Sequence, residues 1–290
     1  MRKYNTSLLL VICLTVLVFL TLSAPKALAE TNTLTTVDVP GAIETDCNAI
    51  NRQGVIVGFY VDSSGVNHGF ALVNGAFKKL NVPGSTGTLA YGINDSRQIV
   101  GWYTDAQGLT HGFLFSAGTF SKIDYPGSTF TNAWTINNAG TIVGTYVGTD
   151  GVFHGFIDKA GTFTSYDAPN GSLLTEILGD NNHEQMVGIF FDSSSVQHGF
   201  QLANGRFRQI DYPGSGVTAA DRINDTGEIV GLYGASSSGP FSGYTRIGGA
   251  FTTVTYPGST ETRVRGVNNA GVLVGRYTDS SGVIHGFTGQ

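Results

Sequence analysis

Cysteine is nearly absent from this chain: Cys13 and Cys47 are the only two in 290 residues. Cys13 lies in an N-terminal apolar run that is expected to be removed. No intrachain disulfide then holds the mature protein, and its stability rests on packing. Charge is scarce as well. Asp, Glu, Lys and Arg make up 13% of the residues, against roughly 25% in an ordinary soluble domain. Without Arg2, Lys3 and Lys26 of the leader, 13 of the 16 basic residues remain against 21 acids, a formal charge of −8. That lacks the basic footprint of a nucleic-acid binder. No segment shows the i, i+3, i+4 spacing of a long amphipathic helix. Nucleophile elbows, Gly-rich phosphate loops, zinc helices and cysteine clusters are also missing, so neither a metal nor a cofactor is expected.

The N-terminus is the one strongly apolar stretch. Met1, Arg2 and Lys3 form a positive start, Leu8 to Leu22 an apolar run, and Ala27-Leu28-Ala29 a small-x-small cleavage pattern. Residues 1–29 therefore read as a secretory signal peptide, and 30–290 as a single mature domain. The run is about 15 residues, short of the ~20 that cross a bilayer, and no stable membrane insertion is expected. The mature chain is expected to be secreted or periplasmic, and monomeric.

Glycine and proline are what the chain has in a pattern. Pro40, Pro83, Pro126, Pro169, Pro213 and Pro257 recur at spacings of 43 or 44. All but Pro169 are followed by Gly; Asn170 stands there instead. His-Gly-Phe recurs at His68, His111, His154, His198 and His285, and a Val-Gly-x-aromatic pattern marks Gly58, Gly101, Gly144, Gly188, Gly231 and Gly275. Three markers in step establish tandem repetition. One unit, from Thr88 to Pro126, holds four strand-sized pieces: Thr88 to Asn94, Gln98 to Tyr103, His111 to Ser116 and Phe120 to Tyr125. Glycine at the Arg97 position in four units (Gly54, Gly140, Gly227, Gly271) predicts a positive φ at the first hairpin corner. Four short strands in ~43 residues match one propeller blade, and six units predict an all-β, six-bladed β-propeller. Leu34 to Pro40 reads as a fourth strand and His285 to Thr288 as a third. The N-terminal strand is therefore expected to complete the last blade and close the ring.

The stretch Ile136-Asn137-Asn138-Ala139-Gly140-Thr141-Ile142-Val143-Gly144, followed by His154-Gly155-Phe156, resembles the bacterial extracellular HAF-repeat proteins. Those carry an Asn-rich turn, a Val-Gly strand and a His-Ala-Phe tripeptide in each unit; here His-Gly-Phe replaces it. The resemblance covers essentially the whole mature chain. It implies export and tandem repetition, and it implies no reaction and no catalytic residue.

The repeated histidines invite a metal reading. Equivalent positions on successive blades, however, lie around a ring, too far apart to share an ion at ~2 Å. A local pairing fits better. Asp62, Asp105, Asp192 and Asp279 each stand six residues before His68, His111, His198 and His285. A hydrogen bond there ties the second strand to the third. The fifth unit loses both partners together, with Ala235 and Ser242; for His154, Gly148 takes the Asp place and Asp150 follows two residues on. These residues are assigned a structural role. The cluster Asp180-Asn181-Asn182-His183-Glu184 lacks calcium-loop spacing and reads as a polar, exposed turn.

The first strand of each unit is expected to be innermost. Alternate positions along it stay small or apolar, while the intervening ones diverge: Asp46 and Asn48, Leu89 and Tyr91, Asn132 and Trp134, Glu176 and Leu178, Ala219 and Asp221, Arg263 and Arg265. A common frame bearing different side chains at fixed places suits a binding mouth. Tyr91, Trp134, Asp221, Arg222, Arg263 and Arg265 are the candidate ligand-binding residues. Aromatic rings beside carboxylates and arginine suit a sugar or an anionic glycan. The leading expectation is an exported, non-catalytic binding or scaffold propeller for polysaccharide or another exported protein. The alternative is a secreted glycosidase or lyase using acids such as Asp46, Glu176 or Asp221. Hydrolysis needs two carboxylates ~5–10 Å apart. A purely structural surface protein is the third reading.

Overall fold

The computed structural model describes residues 33–169 and 172–290. The predicted signal peptide and Asn170 lie outside the described residues. Within them are 24 strands and no helix, so no helix there is long and apolar enough to cross a membrane. The architecture is an all-β propeller of four-stranded blades. In the second unit the strands are Gly87–Ile93, Ile99–Thr104, Thr110–Ser116 and Thr119–Ile123. Each pairs antiparallel with the next. The first hairpin turns on Arg97 with φ 59°, and on Gly54, Gly140, Gly227 and Gly271 with φ between 76° and 84°.

The sheets are not six separate ones, and here the expectation is corrected. Four stand alone as four-stranded blades, while the first and last units share one eight-stranded sheet. Two contacts make it. Thr35–Val37 pairs with Ile284–Gly289 through Thr35↔Thr288, Thr36↔Phe287 and Val37↔Gly286. A single parallel pair, Glu44↔Ile284, then links the last unit to the first. An equivalent parallel bridge, Thr110↔Phe130, joins the second unit to the third without merging their sheets.

The ring is tied at its axis by asparagine. Asn51 donates Nδ2 to the Asn94 carbonyl (3.2 Å), Asn94 to Asn137 (3.1 Å) and Asn137 to Asn181 (3.4 Å). Asn181 donates to Asn224 (3.0 Å), Asn224 to Asn268 (3.0 Å), and Asn268 back to Asn51 (3.3 Å). Each Oδ1 also accepts amides of its own turn; that of Asn51 takes Gln53 N at 3.1 Å and Val55 N at 2.9 Å. All six are buried, and buried amides are stable there only because nearly every donor and acceptor is used.

The core lies between neighbouring blades. The aromatic residue of each tripeptide is fully buried: Phe70, Phe113, Phe156, Phe200, Phe287 and, in the fifth unit, Tyr244. Burying one such ring stabilises by roughly 1.5–3 kcal/mol. The Val-Gly glycine makes room for it. A Cβ on Gly101 lies 2.0 Å from the Leu89 carbonyl oxygen and 2.9 Å from the Phe113 ring, and Gly58, Gly144, Gly188, Gly231 and Gly275 are equally confined. The requirement is close approach, not an unusual φ.

Candidate functional site

Each innermost strand carries a one-residue bulge at the same place. Asn48, Tyr91, Trp134, Leu178, Asp221 and Arg265 stand unpaired while the residues flanking them pair with the second strand. A bulge re-aims the side chain at the extra residue. All six side chains line one cavity of about 320 Å³ at the start of the innermost strands. Glu176, Arg222 and Arg263 line it too.

Tyr91 and Trp134 meet edge to face, their ring centroids 4.6 Å apart at 87°. Trp134 is oriented by Nε1 donating to Thr145 Oγ1 at 2.9 Å. Burial pushes the Tyr91 hydroxyl up to about 12, so it remains a neutral donor. Arg265 Nη1 donates to Asp221 Oδ2 at 3.2 Å, with Asp221 4% and Arg265 25% exposed along their side chains. Burial works against the Arg265 charge, but the Asp221 and Asp46 carboxylates outweigh it and raise its pKa. Arg263 is held by Glu261 at 2.6 Å and lies over the Phe241 ring at 4.6 Å. Burial, then the nearby Arg276, lowers its pKa.

Arg222 departs from the role expected of it. Its place on the innermost strand is Ala49, Gly92, Thr135, Gly179 and Gly266 in the other units, which leaves room for one long side chain across the axis. Nη1 donates to the carbonyls of Leu178 and Asp221, and Nη2 to those of Tyr91 (2.8 Å) and Trp134 (2.9 Å). Arg222 thus floors the cavity and ties four units together, and its Nη donors are committed to main chain rather than to a ligand. Burial brings its pKa down to about 10, and the neighbouring Asp221 favours its charge.

The three candidate acids do not form one group. Asp46 is buried, outside the cavity lining, and held by Arg276 Nη1 at 3.3 Å. Glu176 and Asp221 both line the cavity. Burial raises the Glu176 carboxyl to about 7, with the Asp221 charge adding to it. Among the described residues, no group of three or more His, Cys, Asp or Glu is arranged to hold a metal ion.

The histidines sit on the individual units, each bracketed by two polar partners. Nε2 faces the turn acid: Asp62 (2.9 Å), Asp105 (3.2 Å), Asp192 (3.4 Å) and Asp279 (3.5 Å) for His68, His111, His198 and His285. For His154 that partner is Asp150 at 3.2 Å. Nδ1 faces a residue that the repeat reading overlooked: Asn81, Asp124, Asp167, Asp211 and Asp38, at 2.7 to 3.0 Å. Its signal was present, two residues before each repeat proline. The fifth unit has Thr255 there, so all three members are lost together. That same unit lends the mouth Ser237 and Phe241 from the altered loop.

No family model matches the chain, and no curated protein matches it. Solved structures do. The fucose-specific lectin from Aleuria aurantia superposes with TM-score 0.52 at 8% identity, over 88% of this chain and 93% of that one. The SapL1 lectin in complex with alpha methyl fucoside gives 0.56 at 11% identity, over 86% and 95%. The β-propeller domain of the Trilobed protease from Pyrococcus furiosus gives 0.52 at 8% identity, over 85% and 95%. At these identities the likeness is one of fold.

Proposed function

We propose that this protein is an exported propeller that binds carbohydrate at the mouth of its axis, without catalysis. The eight-stranded sheet counts as two blades, since a single parallel pair joins its halves, and the asparagine ring passes through six units. The observation that carries the reading is the Tyr91–Trp134 pair set beside the Asp221–Arg265 ion pair in one cavity. Aromatic faces take the C–H face of a pyranose, and fixed charged groups take its hydroxyls. About 320 Å³ suits a terminal sugar rather than a long internal stretch. Two of the structural neighbours are described as fucose-specific or as fucoside-bound, which adds fucosylated glycans to the panel worth testing. Export rests on the signal-peptide pattern and on the resemblance to extracellular HAF-repeat proteins.

One observation favours a second reading. Glu176 has a carboxyl near neutrality beside Asp221, and glycosidases pair a raised acid with a second carboxyl group. The deciding experiment exposes the purified protein to soluble and insoluble glycans, fucosylated ones included, and scores retention and released sugar. Retention without products, weakened at least tenfold by Trp134→Ala with folding intact, supports binding. Product release abolished by Glu176→Gln makes it an enzyme. Neither signal leaves a protein-binding or structural role.

A further inference from the structure

A second cavity, about 100 Å³, opens at the other end of the innermost strands, on the face of the asparagine ring. Besides Arg222, its lining departs from the repeat at one more residue. The residue before each ring asparagine is Ile50, Ile93, Ile136, Ile223 or Val267 in five units and Asp180 in the fourth, and all six line the cavity. Far from sitting in an exposed polar turn, as the sequence suggested, Asp180 is 7% exposed.

Both of its carboxylate oxygens are buried without a hydrogen-bond partner. Arg222, which lines the same cavity, commits both Nη atoms to carbonyls and leaves only Nε unbonded, and Asn137 directs Nδ2 to the Asn181 carbonyl. A buried acid with empty acceptors, where five sister units bury an aliphatic side chain, is costly to the fold. Such groups are retained at sites that take a partner.

We propose that this cavity binds a primary alkylammonium group, with Asp180 as its counter-ion and the ring of isoleucines and Val267 around its carbon chain. The chemistry of the wall selects the ligand. Burial raises the Asp180 carboxyl well above its ordinary range, and the Arg222 charge only partly opposes this. An ammonium brings three donors to the two free Asp180 oxygens and favours the ionised form, and its alkyl stem suits an aliphatic collar. A calcium ion needs six to eight oxygens. Here the asparagine Oδ1 atoms already accept turn amides, as in Asn51, Asn137 and Asn268. The aromatic mouth lies at the opposite end of the same strands, and the two cavities share only Arg222. A free alkylamine and a lysine side chain of a partner protein share this chemistry.

The test is thermal unfolding and calorimetric titration of the purified protein with n-butylamine, with a short lysine-containing peptide, and with 1-butanol, sodium chloride and calcium chloride as comparisons. A saturable rise in Tm with n-butylamine or the peptide, and none with 1-butanol or sodium chloride, is expected. Tighter binding of the peptide assigns a protein partner; tighter binding of the amine assigns a small molecule. Asp180→Ile should abolish the response and itself melt no lower than the parent, because isoleucine is what the frame accommodates elsewhere. Asp180→Asn, which keeps the shape and removes the charge, should abolish it too. An unresponsive parent, a response that survives both substitutions, or a response to calcium alone overturns the proposal.

Discussion

Asn268 and Asn51 stand 217 residues apart, yet Asn268 Nδ2 donates to the Asn51 carbonyl at 3.3 Å. This bond completes a ring that five other asparagines carry between consecutive units. Asn268 also receives Ala270 N and Val272 N on Oδ1, at 3.0 and 3.1 Å. One side chain thus shapes a turn and joins the two ends of the chain. Asn268→Ala leaves two turn amides without partners and takes one of two donors from the buried Asn51 carbonyl, which keeps Gly54 N at 3.1 Å. It is expected to cost about 2–3 kcal/mol. Denaturant unfolding of this variant beside Asn94→Ala checks it: similar losses are expected, since both sit in one closed ring. A loss for Asn268→Ala below ~0.5 kcal/mol would mean that the ends are not joined there.

The glycine of the Val-Gly pattern gives a sharper contrast. Gly101 has no room for a methyl group beside the Leu89 carbonyl, whereas Gly108 has φ 83° and nothing within 4 Å of its Cβ position. Gly101→Ala forces backbone apart and should cost about 3 kcal/mol or more. Gly108→Ala meets only the left-handed backbone penalty of about 1–2 kcal/mol. Melting temperatures of the two variants decide the order, and the reverse order contradicts this account of the core.

How much of this was readable beforehand depended on whether a feature repeats. The period, the four strands per unit, the positive φ at the first corner and the pairing of Thr35–Val37 with the last unit all follow from residues that recur or from where the pattern is cut. The bulges were not readable. Alternation along Thr88 to Asn94 is the same with or without one, and only the pairing register shows that Tyr91 is the extra residue. The roles of Arg222 and Asp180 are hidden for the opposite reason. Each is a single exception to a repeated position, and periodicity carries only what the units share. Arg222 looked like a ligand contact because it is charged, yet the small residues around it draw its guanidinium across the axis. The eight-stranded sheet rests on one bridge, Glu44↔Ile284, which residue types do not encode.

The ends of the chain also meet through charge. His285 Nδ1 faces Asp38 at 2.8 Å and Nε2 faces Asp279 at 3.5 Å. Burial disfavours the imidazolium, but the Asp38 and Asp279 carboxylates outweigh this and raise its pKa. A histidine with a raised folded-state pKa contributes stability that is fully present below its unfolded value of ~6.5 and lost as pH climbs through the folded one. His154, raised in the same way against its own burial, acts in parallel. The Tm should therefore decline above about pH 6.5, and His154→Asn/His285→Asn should flatten that decline. The effect per pair is small, because the carboxylates are largely solvated. An unaltered slope in the double variant removes the histidines as its cause.

Glu176 carries the opposite linkage. Burial, then Asp221, raises its carboxyl to about 7, above the ~4.3 of an unfolded chain. Between those values the folded state holds a proton that the unfolded state has released, so stability falls as pH rises from ~4.3 through ~7. Glu176→Gln removes the group that must ionise. The variant should match the parent near pH 4 and exceed it at pH 8 by about 1–2 kcal/mol; the full shift would imply more, but the open cavity lets solvent reduce it. Denaturant unfolding at the two pH values reads the difference. Equal stability at pH 8 would show Glu176 ionised at little cost. It would also take from the mouth the near-neutral acid on which the hydrolytic reading depends.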